Sequence, residues 1–465
     1  MKQLTIKQVK EATGGTLLQG SEEAAICDIS TDSRKAEGGD LFFALIGENH
    51  DAHVYLPQVI EAGCTAMVIS DEAAFRKLQG RGERKGAELN AVLLVEDTTK
   101  ALQDLASYYL RLLDIKKIAV TGSTGKTSTR DLIGRVCSQK YKTQKNMGNL
   151  NNHIGVPLTI LSLEEDTQVA VLEMGMDKFG EIDLLARIAR PDIGVITNIG
   201  MSHIENLGSR EGIFKAKMEL TNYFDQTNTL IFHQEGEFLN KEQIHGSYHI
   251  VTTGIDGKSD YIISGIEDFG AEGIQFSLEH KGRLQKFRLP IPGRHNAYNS
   301  ALAVAAGMQL GITMEEAAAG LAQAELTDKR LTVRGKNGIK VIDDTYNASP
   351  DSMKGAVDVL MHTRGLRSVA VLGDMFELGD TSSSQHELVG RYAAEQGVEL
   401  IVAIGENAGF IRKGAEACGH SNVLWFSEKK EFLKRLDTII QKGDVVLVKG
   451  SRGMEMEQIV KQIME

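Results

Sequence analysis

Cysteine and proline are scarce in this chain of 465 residues, with four of the first and six of the second. Cys27, Cys64, Cys137 and Cys418 have neither the spacing of a metal knuckle nor the density of a disulfide framework, so a reducing, cytoplasmic setting is expected. No run approaches the roughly 18 apolar residues of a membrane span, and the opening M-K-Q-L-T-I-K-Q-V-K-E has no apolar signal core. Membrane insertion is therefore not expected. Positive charge is also short: 52 Lys and Arg face 63 Asp and Glu, a formal net charge of -11. That balance argues against a nonspecific nucleic-acid binder while leaving room for a local phosphate pocket. No fixed-period repeat or low-complexity tract is present. Glycine, by contrast, is abundant at 48 residues, which suits an α/β protein with many tight strand-to-helix junctions. The length exceeds one simple core and predicts two to four domains.

The segment 121–127, T-G-S-T-G-K-T, follows the apolar run Ile118-Ala119-Val120 and precedes a helix-like stretch at 128–136. Strand, glycine loop and helix in that order are what a phosphate-binding loop requires. Gly122 and Gly125 can take backbone angles closed to other residues and present unhindered N–H groups to phosphate oxygens, Ser123 and Thr124 complete the cofactor-binding loop, and the following helix adds the free donors of its N-terminus. Lys126 would reach the terminal phosphates and the Thr127 hydroxyl would ligate magnesium. Val120 stands where the longer G-x-x-x-x-G-K-[ST] pattern has its first glycine, so this is the shorter G-x-x-G-K-T form. An ordinary glycine turn is the bland alternative.

Apolar strand-like runs recur along the chain. Short ones at 39–46, 66–69 and 91–95, with a helical stretch at 54–62, read as a small α/β domain, and 71–89 reads as a solvated helix and loop between strands. Runs at 118–120, 169–172 and 193–197, with a helix at 182–188, read as crossover units of a mostly parallel sheet. Alternation at 246–289 suggests antiparallel strands. After small-residue helices at 300–308 and 317–326, runs at 339–342, 369–372, 400–404 and 445–448 alternate with helices at 353–361 and 384–396, a further α/β domain. The domain bounds so read are 1–100, 101–326 and 327–465.

Ligands of open α/β sheets sit beyond the carboxyl ends of the strands, and polar residues gather there. Glu173 follows the run 169–172 and is a candidate magnesium ligand; alone, a strand-end glutamate is more often a surface residue. His203, in T-N-I-G-M-S-H-I-E-N-L-G, could ligate a second divalent ion or simply fasten its loop. Asn198 could orient a phosphate or a water. Asn296 and Asn299, three apart ahead of a helix, can face one ligand together, although either could serve as a cap. Lys215 and Lys217 lie on a helix where lysines usually solvate an exposed face, and chemistry alone does not separate them. D-D-T-Y-N-A-S-P at 343–350, G-D-M-F-E-L-G at 373–379 and K-G-S-R-G at 449–453 follow strands and suggest a substrate wall.

Together with T-D-S-R at 31–34, N-M-G-N-L-N-N-H-I-G-V-P at 146–157, L-E-M-G at 172–175 and G-R-H-N-A-Y-N at 293–299, these segments resemble the Mur ligases, ATP-dependent enzymes of peptidoglycan precursor synthesis, over essentially the whole chain. The resemblance implies a three-domain α/β architecture: an N-terminal domain for the uridine nucleotide, a central P-loop ATPase-like domain with a mostly parallel sheet, and a C-terminal Rossmann-like domain. It implies ATP and magnesium as cofactors. Lys126, Glu173, His203, Lys217 and Arg330 are then catalytic; Thr127, Glu173, His203 and a carbamylated Lys217 serve the metal. Asn296, Asn299, Arg330, Asp344 and Asn347 join the loop around ATP. Ser33 and Arg34 fall on the uridine nucleotide, while Thr143, Asn146, Asn149, Asn151 and Asn152 face the substrate. The implied partners are UDP-N-acetylmuramoyl-tripeptide and D-alanyl-D-alanine, joined through an acyl phosphate by a monomer. L-G-D-M-F-E-L-G favours the dipeptide-adding branch over the branch that adds the third amino acid, whose D-N-P-R pattern is missing. Folylpolyglutamate synthetase is a more distant alternative, and a scaffold that kept the fold without catalysis belongs to another functional class.

Overall fold

The computed structural model describes residues 1–79, 91–234, 237–325, 327 and 329–465. Residues 80–89 of the stretch expected to be solvated, and Leu326 at the expected central boundary, lie outside them. The chain forms two compact units, one of Met1–Lys117, Tyr141–Met174 and Asp183–Pro191, the other of Ile118–Lys140, Gly175–Ile182 and Asp192–Glu465.

The first unit is built on a five-stranded sheet in the order Thr16–Gln19, Ala91–Leu94, Ala66–Ile69, Asp40–Phe43, Asp28–Ser30. Its pairs are parallel except for the edge strand Thr16–Gln19. Apart from Asp40 at its strand's start, the central strands are apolar, as burial on both faces demands, with Phe42, Met67, Ile69 and Val92 in a core closed by Leu56 and Val59. The helix Thr98–Arg111 is capped by Asp97, whose carboxylate accepts from the N–H groups of Thr99 and Lys100. Also in this unit, Thr143–Lys145 pairs in parallel with Val169–Glu173.

In the second unit the strands run in the order Arg283–Leu289, Ile274–His280, Tyr261–Asp268, His249–Gly254, Thr229–His233, Ile193–Ile196 and the phosphate-loop strand Lys116–Thr121. The last three of the chain are antiparallel, as the alternation at 246–289 suggests. His249–Gly254 departs from that expectation: it pairs in parallel with both neighbours, because the sheet's direction reverses only after Tyr261–Asp268. The same unit holds a six-stranded sheet, Thr332–Lys336, Ile339–Asp344, Asp444–Lys449, Arg367–Gly373, Leu400–Ile404, Val423–Phe426. Only its opening hairpin is antiparallel. That hairpin turns at Asn337-Gly338, both at positive φ (52° and 80°), the turn whose twist matches two antiparallel strands. Alternate residues feed two cores: Ile342, Ala370, Leu372 and Leu447 face one set of helices, Val341, Val369, Val371 and Val446 the other. Among the described residues no helix is long and apolar enough to cross a membrane.

Candidate active site

The loop after Lys116–Thr121 takes a shape only glycine permits at two places. At Gly122 (φ 149°) a Cβ would fall 1.8 Å from Thr197 Oγ1, and at Gly125 (φ 76°) it would stand 2.9 Å from Asn299 Oδ1. Gly125 caps the helix Lys126–Cys137, which therefore begins two residues earlier than the apolar pattern indicates and puts Lys126 and the buried Thr127 in its first turn. Neighbouring strand ends hold the loop. Asn198 Oδ1 accepts from Thr124 N (3.0 Å), its Nδ2 donates to Thr124 O (3.2 Å) and Oγ1 (2.8 Å), and Thr197 Oγ1 donates to Thr124 O (2.6 Å). Ser123 Oγ accepts from Gly200 N at 2.9 Å. Asn198 is thus a loop fastener, committed to Thr124 through both ends of its amide. Lys126 Nζ donates to the carbonyls of Gly122 (2.8 Å) and Ser123 (3.3 Å), which keeps the ammonium at the loop.

Around the loop stand further predicted residues. Asn296 and Asn299 lie within the helix His295–Gln309 and cap nothing; Asn296 Nδ2 donates to Pro292 O (2.7 Å) and Asn299 Nδ2 to Asn296 Oδ1 (2.9 Å). On Arg210–Met218, Lys215 is exposed and paired with Glu211 at 2.7 Å, whereas Lys217 is buried. Positions two apart on a helix face opposite ways, and burial decides the chemistry. Burial, with Lys126 nearby as a second cation, pushes the Lys217 amine well below the usual lysine range, toward its neutral form.

His203 opens the short helix Ile204–Leu207 with φ 64°. Its Nδ1 lies 2.7 Å from Glu377 Oε2 and 3.0 Å from Asp177 Oδ1. These are contact distances, yet neither oxygen meets hydrogen-bond geometry with the ring, and the buried nitrogen stays without a formal partner. Ligand atoms of all three residues lie within 4.8 Å of one another, so two carboxylates face one imidazole nitrogen. Neither Asp177 nor Glu377 stands out in the sequence, where Glu377 is one polar residue within G-D-M-F-E-L-G.

The junction into the six-stranded sheet carries Arg330 between two non-glycine residues at positive φ, Lys329 (63°) and Leu331 (52°). Its guanidinium stacks 4.1 Å above the centre of the Tyr346 ring, and its buried Nε has no hydrogen-bond partner among the described residues. Asp344 is held by Lys449 Nζ at 2.5 Å and accepts from Leu331 N at 3.2 Å, while Lys449 also donates to Asn347 O at 2.9 Å. Lys449, from K-G-S-R-G, is the buried counter-charge the sequence did not single out. Asn347 is exposed and its Oδ1 accepts from Ala348 N.

Glu173 and the substrate-side asparagines belong to the first unit. Asn151 Nδ2 donates to Glu173 Oε1 (2.9 Å). Asn146 is buried and spends its whole amide on backbone: Oδ1 accepts from Glu173 N (2.8 Å), and Nδ2 donates to Glu173 O (2.9 Å) and Leu150 O (2.8 Å). Asn152 Oδ1 receives Ile154 N and Gly155 N at the start of Gly155–Leu161, Thr143 Oγ1 donates to Tyr141 O, and Asn149 is exposed. Ser33 contacts Gln58, and the exposed Arg34 forks onto Asp32 at 2.8 Å, which holds that carboxyl down to about 2.

A glycine loop fastened at the carboxyl end of a parallel strand and running into a helix N-terminus defines a phosphate-binding α/β protein. The Mur ligase middle domain matches residues 120–307, the Mur ligase glutamate ligase domain 329–452 and the Mur ligase family catalytic domain 26–110. UDP-N-acetylmuramoyl-tripeptide--D-alanyl-D-alanine ligase of Bacillus subtilis (strain 168) is 40% identical over 99% of this chain and 98% of its own. Among solved structures, MurF from Acinetobacter baumannii is 34% identical with a TM-score of 0.89, covering 100% of this chain and 99% of its own. MurF ligase from Thermotoga maritima in complex with ADP is 26% identical with a TM-score of 0.80, covering 94% and 96%. The chain belongs to the Mur ligase family.

Proposed function

We propose that the chain joins D-alanyl-D-alanine to UDP-N-acetylmuramoyl-tripeptide with consumption of ATP. The observation that carries this reading is full-length similarity to the Bacillus subtilis ligase of that name, together with a loop built to receive phosphate. The Thermotoga maritima relative was solved in complex with ADP, which supports an adenine nucleotide as a ligand of this chain. In the reading, residues 1–100 bind the uridine nucleotide through Ser33 and Arg34, 101–326 bind ATP, and 327–465 bind the dipeptide, all in a cytoplasmic monomer.

The tripeptide carboxylate attacks the γ-phosphorus of ATP; the bond to the leaving oxygen breaks, giving an acyl phosphate and ADP. The dipeptide amine then attacks the activated carbonyl carbon, the carbon–oxygen bond to phosphate breaks, and an amide forms with loss of the amine proton. The N–H groups of Gly122 and Gly125, the first turn of the helix Lys126–Cys137 and the Lys126 ammonium hold the transferring oxygens, while Ser123 N and Thr124 N stay on Asn198 and keep the loop in shape. Arg330, stacked on Tyr346 with an Nε that has no hydrogen-bond partner among the described residues, is the candidate donor to those oxygens from the junction segment. Magnesium, when bound, would neutralise charge on the phosphates; Thr127, His203 and Lys217 are the residues of the second unit that would hold it, and Glu173 is the fourth candidate ligand. Lys217 enters as a carbamate, and burial prepares it: only a neutral amine adds carbon dioxide. Asn296 and Asn299, with Asp344 and Asn347, frame the nucleotide, and Thr143, Asn149, Asn151 and Asn152 face the UDP-N-acetylmuramoyl-tripeptide, with Asn146 holding their loop to the Glu173 backbone.

The test supplies ATP, magnesium, UDP-N-acetylmuramoyl-tripeptide and D-alanyl-D-alanine and measures the product by mass. A pentapeptide product and stoichiometric ADP are expected. ADP release with no amide refutes the reading, and amide formation only from the dipeptide substrate plus a third amino acid moves the chain to the neighbouring branch.

A further inference from the structure

The contact between Glu377 and His203 joins two segments separated by 174 positions, and nothing in the reaction as described uses it. The carboxylate does not reach His203 by chance of a loose loop. Met375 N donates to the buried His386 Nε2 (2.9 Å), Phe376 N donates to Ser451 Oγ (2.9 Å), Ser451 N donates to Asp374 O (2.9 Å), and Asp374 Oδ1 accepts from Ala408 N (2.7 Å). Every residue before Glu377 in this loop is fastened, and Glu377 itself sits at φ 62°, a conformation non-glycine residues adopt only when the surroundings hold them there. Two residues on, a Cβ at Gly379 would stand 3.5 Å from Glu205, so the loop lies directly against the turn that carries His203.

We propose that Glu377 is a positioning residue that sets the tautomer of His203 and thereby its competence as a metal ligand. A neutral imidazole carries one proton. With carboxylate oxygens 2.7 Å and 3.0 Å from Nδ1, a lone pair there would meet two negative groups, and even off-line the N–H is favoured at that nitrogen. The proton therefore resides on Nδ1 and the lone pair on Nε2, the pattern by which carboxylates orient metal-binding histidines elsewhere. Asp177 is the weaker partner, more exposed and farther from the ring. The consequence is that the ligating nitrogen of a residue in the nucleotide-binding segment is selected by a side chain of the segment 329–452.

The inference rests on the reading of His203 as a magnesium ligand, and the test separates the two. Histidine-selective nitrogen-15 NMR of the metal-free protein, with the His203 signal assigned by its loss in His203→Gln, reads the tautomer directly. Manganese titration followed by electron paramagnetic resonance, with a non-hydrolysable ATP analogue present, reads the affinity. Wild type should carry its proton on Nδ1; Glu377→Ala should shift it toward Nε2 and weaken manganese by about 10- to 100-fold, the usual cost of losing such an orienting group. Glu377→Gln, whose amide oxygen can still accept, should fall between, and it carries the test if the alanine variant fails to fold. An unchanged tautomer and manganese affinity in both variants, with His203→Gln weakened, overturns the role of Glu377 and leaves the ligand. Undiminished affinity in His203→Gln overturns both.

Discussion

Replacing Asn198 with alanine removes the main brace of the phosphate loop. Three hydrogen bonds to Thr124 disappear. Neutral bonds contribute about 1 kcal/mol each, but the Thr124 carbonyl keeps its bond from Thr197 Oγ1, so the net loss is about 2 kcal/mol. If that free energy maintains the loop's binding shape, the competent fraction falls by up to roughly 30-fold, and nucleotide affinity with it. Calorimetric titration with ADP and the KM for ATP in the ligation assay should both weaken, with kcat little altered, since the brace acts before chemistry. Asn198→Asp keeps the acceptor for Thr124 N and loses the donor, and should lie between. Unchanged ADP affinity in Asn198→Ala would refute the claim that side-chain bracing preorganises this loop. A fall in kcat at constant KM would refute it equally, by placing the effect in the transition state.

Two further outcomes test the electrostatics. Burial lowers His233 from 6.5 to about 4; below pH 6.5 the unfolded chain takes up a proton that the folded one refuses, so this group erodes stability as pH falls from 6.5 to 4 and adds nothing further below. The total is about 3 kcal/mol, of which about 2 is felt by pH 5. Urea unfolding of wild type and His233→Gln should therefore show a stability difference that shifts by that amount between pH 7.5 and 5; a constant difference refutes it. Lys449→Met leaves the Asp344 carboxylate without its buried counter-charge and should cost about 3–5 kcal/mol in the same assay, and adding Asp344→Asn should recover most of it. A double variant as unstable as the single one would show that packing, rather than charge, is what Lys449 provides.

Much of the scaffold could be read from apolar runs because the sheets are covered on both faces: 369–372, 400–404 and 445–448 are unbroken, and each proves to be a strand. The polar clusters at strand ends were visible for the same reason, as interruptions in that pattern. His249–Gly254 was misjudged because strand direction is a property of pairing, which alternation does not encode. The first turn of Lys126–Cys137 was missed because Lys126 and Thr127 are polar for the sake of the loop. Asn146 shows the limit in a different way. Its residue type suits a substrate contact as well as a backbone clamp, and only its bonds to Glu173 and Leu150 separate the two. The meeting of Asp177, His203 and Glu377 leaves no local mark, since each is an ordinary polar residue in its own segment.

The paired left-handed residues around Arg330 invert a familiar rule. Glycine normally weakens a chain because of the freedom it gives the unfolded state. At Lys329 and Leu331 the folded backbone already occupies ground that side chains resist, at roughly 1–2 kcal/mol per residue. Glycine there would ease the fold while loosening the Lys329 contact with Glu457 and the seating of Leu331. The chain has thus exchanged ease of folding for a fixed bearing on its arginine, and the segment behaves less as a hinge than as a detent, a bend with one preferred stop.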